Sequence, residues 1–229
     1  MWVAMAPVLL SLFLAAALSG AELDKARDAQ DRAALDRIAA QLASAAQQKT
    51  GDAAAQYNAA VAQSYVAEVA IEVRDKEKGR AAAEAGIGLA EHAVSLKSDN
   101  AEYHRILGTL CGQVISAASL KGLTRGKCAL DEVNKAVQLD PKAAINYVSR
   151  GVGNYYLPSG LGGGIDLAIK DFQKAIELDP KSAEAYLWLG IAQRKAGHNA
   201  EAHKALQKSV ELNPARVWSK QQLEKTPAQ

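Results

Sequence analysis

Along most of this chain, small and apolar residues recur every three or four positions, as at Tyr186, Leu189, Gly190 and Gln193 and again at Ala202, Ala205, Leu206 and Ser209. That period lines one face of an amphipathic helix, whereas a half-buried strand would alternate every second residue. The pattern is punctuated regularly. Four segments end alike: Ala93-Val94-Ser95-Leu96-Lys97-Ser98, Ala136-Val137-Gln138-Leu139-Asp140-Pro141, Ala175-Ile176-Glu177-Leu178-Asp179-Pro180 and Ser209-Val210-Glu211-Leu212-Asn213-Pro214. Proline cannot continue a helix but fits the first turn of the next, and a preceding Asp or Asn can cap that helix. Each ending is therefore expected to be a helix-to-helix corner. Within the last unit, Gly197-His198-Asn199 is expected to separate a pair of helices, with Gly turning the chain and Asn199 capping.

The endings lie 43, 39 and 34 residues apart, and the shortest interval is the base period. The five extra residues of the second interval fall in Leu157-Pro158-Ser159-Gly160-Leu161-Gly162-Gly163-Gly164. The nine of the first fall around Ser116 to Lys127, as a lengthened helix or a loop. Upstream, Asp24 to Gln48 reads as one helix, and Asp52 to Arg74 with Gly79 to Lys97 as a longer, degenerate pair. Downstream, Ala215 to Lys225 reads as a capping helix, which a stacked array requires. The expected organisation is residues 22–97 as N-terminal helices, 98–214 as three repeats, and 215–229 as cap and tail.

Ala183-Glu184-Ala185-Tyr186-Leu187-Trp188-Leu189-Gly190, followed by Gly197, Ala202, Leu206, Ser209 and Pro214, resembles a tetratricopeptide repeat. The resemblance implies an all-α fold, an α-solenoid of antiparallel helix pairs. It also implies close helix crossings at small residues: Gly108, Gly151 and Gly190 in first helices, and Ala129, Ala168, Ala202, Ala136, Ala175 and Ser209 in second ones. A larger side chain at such a crossing overpacks it at a cost of about 1–3 kcal/mol.

Composition agrees with helices packed through small side chains: aromatics are 5%, and there are 17 Gly but only 6 Pro. The net charge of +2 leaves no basic field to hold a nucleic-acid backbone, so nucleic acid is excluded as a partner class. Met1 to Leu18 is uncharged and apolar apart from Ser11, and Ser19-Gly20-Ala21 follows. Residues 1–21 read as a signal peptide, with export to the periplasm or medium and no membrane insertion after cleavage; an uncleaved anchor is the alternative, the apolar run being near the lower limit of what spans a bilayer. Cys111 and Cys128 would then meet an oxidising compartment, either joined as a disulfide or as two packed thiols.

Catalytic signatures are missing. His198 and His203 lie five apart across a helix start, which is not a metal-ligand spacing, and His104 falls where the repeat family places a core residue. The Gly160 to Gly164 run lacks the Lys-Ser/Thr and the strand of a phosphate loop, and reads as a turn. No cofactor, metal or enzymatic activity is expected. Trp188 and Trp218 are expected to pack together. Arg150 stands where the family carries Leu and needs a carboxylate, Asp166 or Asp171.

The resemblance places the functional surface on the concave face. Its inner-face pattern selects Glu102, Arg105, Thr109 and Gln113, then Val148, Val152, Tyr155 and Tyr156, then Leu187, Ile191, Arg194 and Lys195. The middle is apolar and aromatic, unlike the cationic clamp of relatives that grip acidic C-termini. It suits a protein or peptide segment with apolar side chains, making the chain an interaction module or scaffold of the cell envelope. Two alternatives stay open: a hydrophobic small molecule, with the chain an accessory to a transporter, or a face covered by the N-terminal helices.

Overall fold

A computed structural model of the chain describes residues 20–117 and 125–228. The signal-peptide reading of residues 1–21 lies almost wholly outside these, as does the middle of the inserted stretch after Ser116. Among the described residues there are helices and no strands. The first helix, α1, covers 20–28. Then come α2 (Arg32–Gln48), α3 (Ala53–Glu72), α4 (Lys76–Leu96), α5 (Ala101–Ala117) and α6 (Gly126–Leu139). These are followed by α7 (Ala144–Tyr156), a 3-10 turn (Ser159–Leu161), α8 (Ile165–Leu178), α9 (Ala183–Lys195), α10 (Asn199–Leu212) and α11 (Val217–Glu224).

From α2 onward each helix packs on the next, and α3, α5, α7, α9 and α11 also pack in succession on one another. Odd-numbered helices therefore form an inner layer and even-numbered ones an outer layer, the two-layer superhelix of a solenoid. Two apolar cores result. One joins α1 to α6 around Leu35, Ile38, Ile106 and Leu110; the other joins α7 to α10 around Phe172, Leu187 and Leu206.

The small positions lie where the inner and outer layers meet most closely. A methyl group on Gly108 would come within 2.7 Å of a Val133 methyl, one on Gly151 within 2.5 Å of the Phe172 ring, and one on Gly190 within 2.5 Å of Leu206 Cγ. Arg150 donates to both oxygens of Asp171 at 2.6 to 3.1 Å, and Asn154 reaches the same carboxylate at 2.9 Å. Asp171 is the partner and Asp166 is not. Cys111 and Cys128 form a disulfide between α5 and α6, with Cα atoms 6.0 Å apart.

Several local expectations need correction. The stretch from Asp24 to Gln48 is two helices: Gln30 turns left-handed at φ 54°, and Asp31 caps α2 by accepting from the Ala34 amide at 3.0 Å. The Asp-Pro and Asn-Pro corners do not open helices. Asp140, Asp179 and Asn213 accept from the amides of Lys142, Lys181 and Ala215, which closes a short turn, and the helices begin at Ala144, Ala183 and Val217. Asn199 is the first residue of α10, and His198 is its N-cap. Some of the first insertion lengthens α5, which runs 17 residues against 13 in α7 and α9.

The glycine run after α7 is a tight turn. Gly164 sits at φ 129° and donates its amide to Asn154 O at 2.9 Å, while a side chain on Gly163 would strike the Leu157 carbonyl. Its geometry is spent on folding the chain back onto α7, which leaves no amide cradle for a phosphate.

Candidate functional site

The inner layer surrounds a cavity of about 430 Å³. Successive turns of the inner helices reach it: Tyr65, Glu68 and Glu72 from α3, Arg105, Thr109 and Gln113 from α5, Val148, Val152 and Tyr156 from α7, Glu184, Trp188 and Arg194 from α9, and Trp218 and Gln222 from α11. Arg27 of α1 completes the wall. Seven residues of the inner-face pattern thus meet at one cavity: Arg105, Thr109, Gln113, Val148, Val152, Tyr156 and Arg194.

The other selected residues lie elsewhere. Leu187 is fully buried and Ile191 nearly so, both in the core between α9 and its neighbours, because the helix turns them away from the concave side. Tyr155 packs edge-on to Trp188 and lies beneath the Lys195 ammonium at 4.1 Å, away from the cavity wall. Glu102 stands behind the wall and fixes Arg105 by bonds of 2.8 to 3.0 Å, while Tyr57 donates to it at 3.1 Å. Burial pushes the Glu102 carboxyl up, but the adjoining guanidinium outweighs burial and holds it below the ordinary range. Burial also pushes the Tyr57 hydroxyl up to about 12.

The wall is polar on one side and aromatic on the other. Thr109 and Ser149 share a hydroxyl contact at 3.3 Å, and Gln113 donates to Ser64 O at 3.0 Å while its own Oε1 is buried without a partner. Opposite, Trp188 stands edge-on to Tyr156 at 6.2 Å and to Trp218 at 5.2 Å, spacings of favourable aromatic contact. Arg194 is committed to the cap, donating to Gln222 O, Gln222 Oε1 and Thr226 Oγ1 at 2.6 to 3.1 Å.

The two ends of the superhelix are joined, and the junction depends on residues that local pattern did not single out. Arg216, just ahead of α11, is 1% exposed. It donates to Glu68 at 2.6 Å and to Glu184 at 3.3 Å, forms a short ion pair with Glu72, and lies 3.8 Å from Asp28. Arg27 bonds Asp28 at 2.7 Å and approaches Glu184 at 3.4 Å. Gln221 and Gln30 bond each other, and Asn213 donates to Asp28 at 2.8 Å. The last helix is therefore fastened to α1 and α3, and the superhelix forms a ring. Burial raises the carboxyls of Glu68 and Glu72, the latter to about 7. The one sequence signal for this junction was the pair Glu68 and Glu72, one turn apart and the only charges in the 20 residues of α3.

His104 is buried, with Nδ1 2.6 Å from Glu132 and Nε2 2.9 Å from Ser98 O, which joins α5 to α6 and holds it away from the cavity. Among the described residues no cluster of His, Cys, Asp and Glu is arranged to hold a metal ion, and no helix is long and apolar enough to cross a membrane.

Comparison with known proteins gives two matching family models. Residues 162–197 match one described as TPR repeat, and residues 183–216 match one described as Tetratricopeptide repeat. No curated protein matches. Among solved structures, TTC0263, a thermophilic TPR protein of Thermus thermophilus, superposes with a TM-score of 0.61 at 17% identity, over 84% of this chain and 92% of that one. YrrB, a TPR protein with an unusual peptide-binding site, gives 0.44 at 20% identity over 82% of each chain. The first of these is a likeness of fold.

Proposed function

We propose, of a chain that is a tetratricopeptide-repeat protein, that it is a non-enzymatic interaction module of the cell envelope which takes a protein segment into the central cavity. Repeats of this family bind protein and peptide partners. The observation that carries the finer reading is the convergence of Val148, Val152, Tyr156, Trp188 and Trp218 from three inner helices on one cavity. An apolar wall beside polar groups such as Thr109 and Gln113 suits one or two apolar side chains of a partner together with the backbone that carries them.

The test is Val152→Glu, which puts a charge into the wall, beside Leu167→Glu on the exposed outer helix α8. The wild type and the outer variant are expected to hold the same partner segment, read by the fluorescence change of Trp188 and Trp218 on titration with the synthetic segment. The cavity variant is expected to lose it at least about tenfold, since a buried unpaired charge costs more than the 1.4 kcal/mol this represents. Equal binding by all three would end the reading.

A second reading, a hydrophobic small molecule carried for a transporter, is favoured by one fact. Closure of the ring leaves a cavity of about 430 Å³, inside the range that buries compact ligands. Mass spectrometry of the protein under native and denaturing conditions separates the two, because a released small molecule would decide for the second.

Export rests on the uncharged run from Met1 to Leu18 with small residues after it, and the disulfide suits an oxidising compartment. Cleavage after Ala21 leaves α1 its core contacts, since Leu23 and Ala26 are the buried residues of that helix. N-terminal sequencing of the protein from the periplasm or medium is expected to begin at Glu22; an intact Met1 would refute it.

A further inference from the structure

The seam that closes the ring is polar. No apolar core spans it: Leu23 and Ala26 of α1 belong to one core, while Trp218 and Leu223 of α11 pack on the other. The contacts there are polar: Gln30 with Gln221, Asp28 with Asn213, and Arg216 with its carboxylates.

The seam is also unbalanced in charge. Four carboxylates, of Asp28 from α1, Glu68 and Glu72 from α3 and Glu184 from α9, face two guanidiniums, Arg216 and Arg27. The remaining titratable neighbours are the phenols of Tyr65, bonded to Asp24, and Tyr156, which stay protonated, Arg105, which is paired with Glu102, Arg194, which is committed to the cap, and the exposed cations Arg74 and Lys225 elsewhere on the cavity wall. Fully ionised, the buried set carries two uncompensated negative charges, which a low-dielectric site tolerates poorly. Protons on two carboxyls bring it to balance.

We propose that the seam around Arg216 is a proton-operated latch, which holds the ring shut while its surplus carboxylates are protonated and widens access to the central cavity when they ionise. The inference rests on the cavity being the binding site, and it adds the regulation of access to it. Its sign follows from linkage. A carboxyl whose affinity for protons is higher closed than open favours closure at low pH, and that preference is lost as pH rises through its closed-state value. With about 7 for Glu72 closed and the ordinary 4.5 once solvated, the closing equilibrium constant falls about thirtyfold between about pH 5.5 and about pH 8.5.

The experiment is acrylamide quenching of Trp188 and Trp218, both on the cavity wall, in the full chain carrying Trp2→Phe so that no other tryptophan reports. Quenching is expected to rise about twofold or more over that pH range. It is expected to stay low throughout in a Gln30→Cys/Gln221→Cys variant closed by a short thiol cross-linker, and to rise distinctly less with pH in Glu72→Gln. A rise in the cross-linked ring equal to that of wild type would overturn the proposal, as would an unchanged profile in Glu72→Gln with its helical circular dichroism intact. If Glu72→Gln does not fold, the cross-linked ring decides alone. Because the readout is access of a neutral quencher and not partner binding, failure here leaves the interaction reading standing.

Discussion

Replacing Gly190 by alanine is expected to destabilise the protein, while the same change at Gly88 is expected to stabilise it. Both glycines lie inside helices, so each substitution gains up to about 0.8–1.0 kcal/mol of helix propensity. At Gly88, on the exposed side of α4, the added methyl meets nothing within 4 Å and the gain is kept. At Gly190 it would lie 2.5 Å from Leu206 Cγ and 2.9 Å from the Ala202 carbonyl oxygen. The first is the branch point of a fully buried side chain and the second is backbone of α10, so neither can swing aside, and α9 and α10 must move apart. Overpacking of that kind costs about 1–3 kcal/mol, which cancels or exceeds the propensity gain and sets the two variants about 2 kcal/mol apart. For a chain of this size that is about 4–8 °C in melting temperature. Paired thermal and urea melts read the difference. A Gly190→Ala protein melting at or above Gly88→Ala would refute the claim that the crossing is closed by steric contact.

Reducing the Cys111–Cys128 disulfide releases a loop of 17 residues and is expected to cost about 3 kcal/mol, seen as a lower urea midpoint; no shift would show that the pairing adds nothing. Asp171→Ala strips the acceptor from both Arg150 and Asn154 and is expected to cost about 1–3 kcal/mol, while Asp166→Ala on the exposed side of α8 leaves the midpoint unchanged. Unfolding free energy is expected to fall as pH rises from about 5 to about 8. The contribution of Glu72 is fully present below its ordinary 4.5 and is lost through about 7. Urea melts at several pH values test it, and a rising or flat profile would contradict the assignment.

The repeat architecture was legible because its causes are local. Gly108, Gly151 and Gly190 mark crossings from sequence alone, since only a missing side chain lets helices approach that closely. Arg150 was legible for the same reason, as a charge at an apolar position that demands a carboxylate one helix away. The cavity was half legible. The inner-face spacing found Arg105, Val152 and Tyr156, but carried into α9 it also chose Leu187 and Ile191, which face the core. The break at Gln30 escaped because neither Gly nor Pro marks it. The seam escaped because its partners lie up to 191 residues apart, and no periodicity links Gln221 to Gln30.

The residues that resemble the family most strongly do not hold the site by themselves. Residues 162–216 match the repeat models, yet the cavity also needs Arg27, Tyr65, Glu68 and Glu72 from helices with little repeat character, and Trp218 and Gln222 from the cap. A solenoid left open at its ends would present the same inner helices as a shallow face. Here two atypical ends that bond each other through polar groups turn that face into a deep cavity, so the helix pairs supply the frame and the seam supplies what is particular to this chain. It follows that changes to the small residues at crossings will act on stability alone, whereas changes to Arg216 and its carboxylates will act both on stability and on what enters the cavity and when.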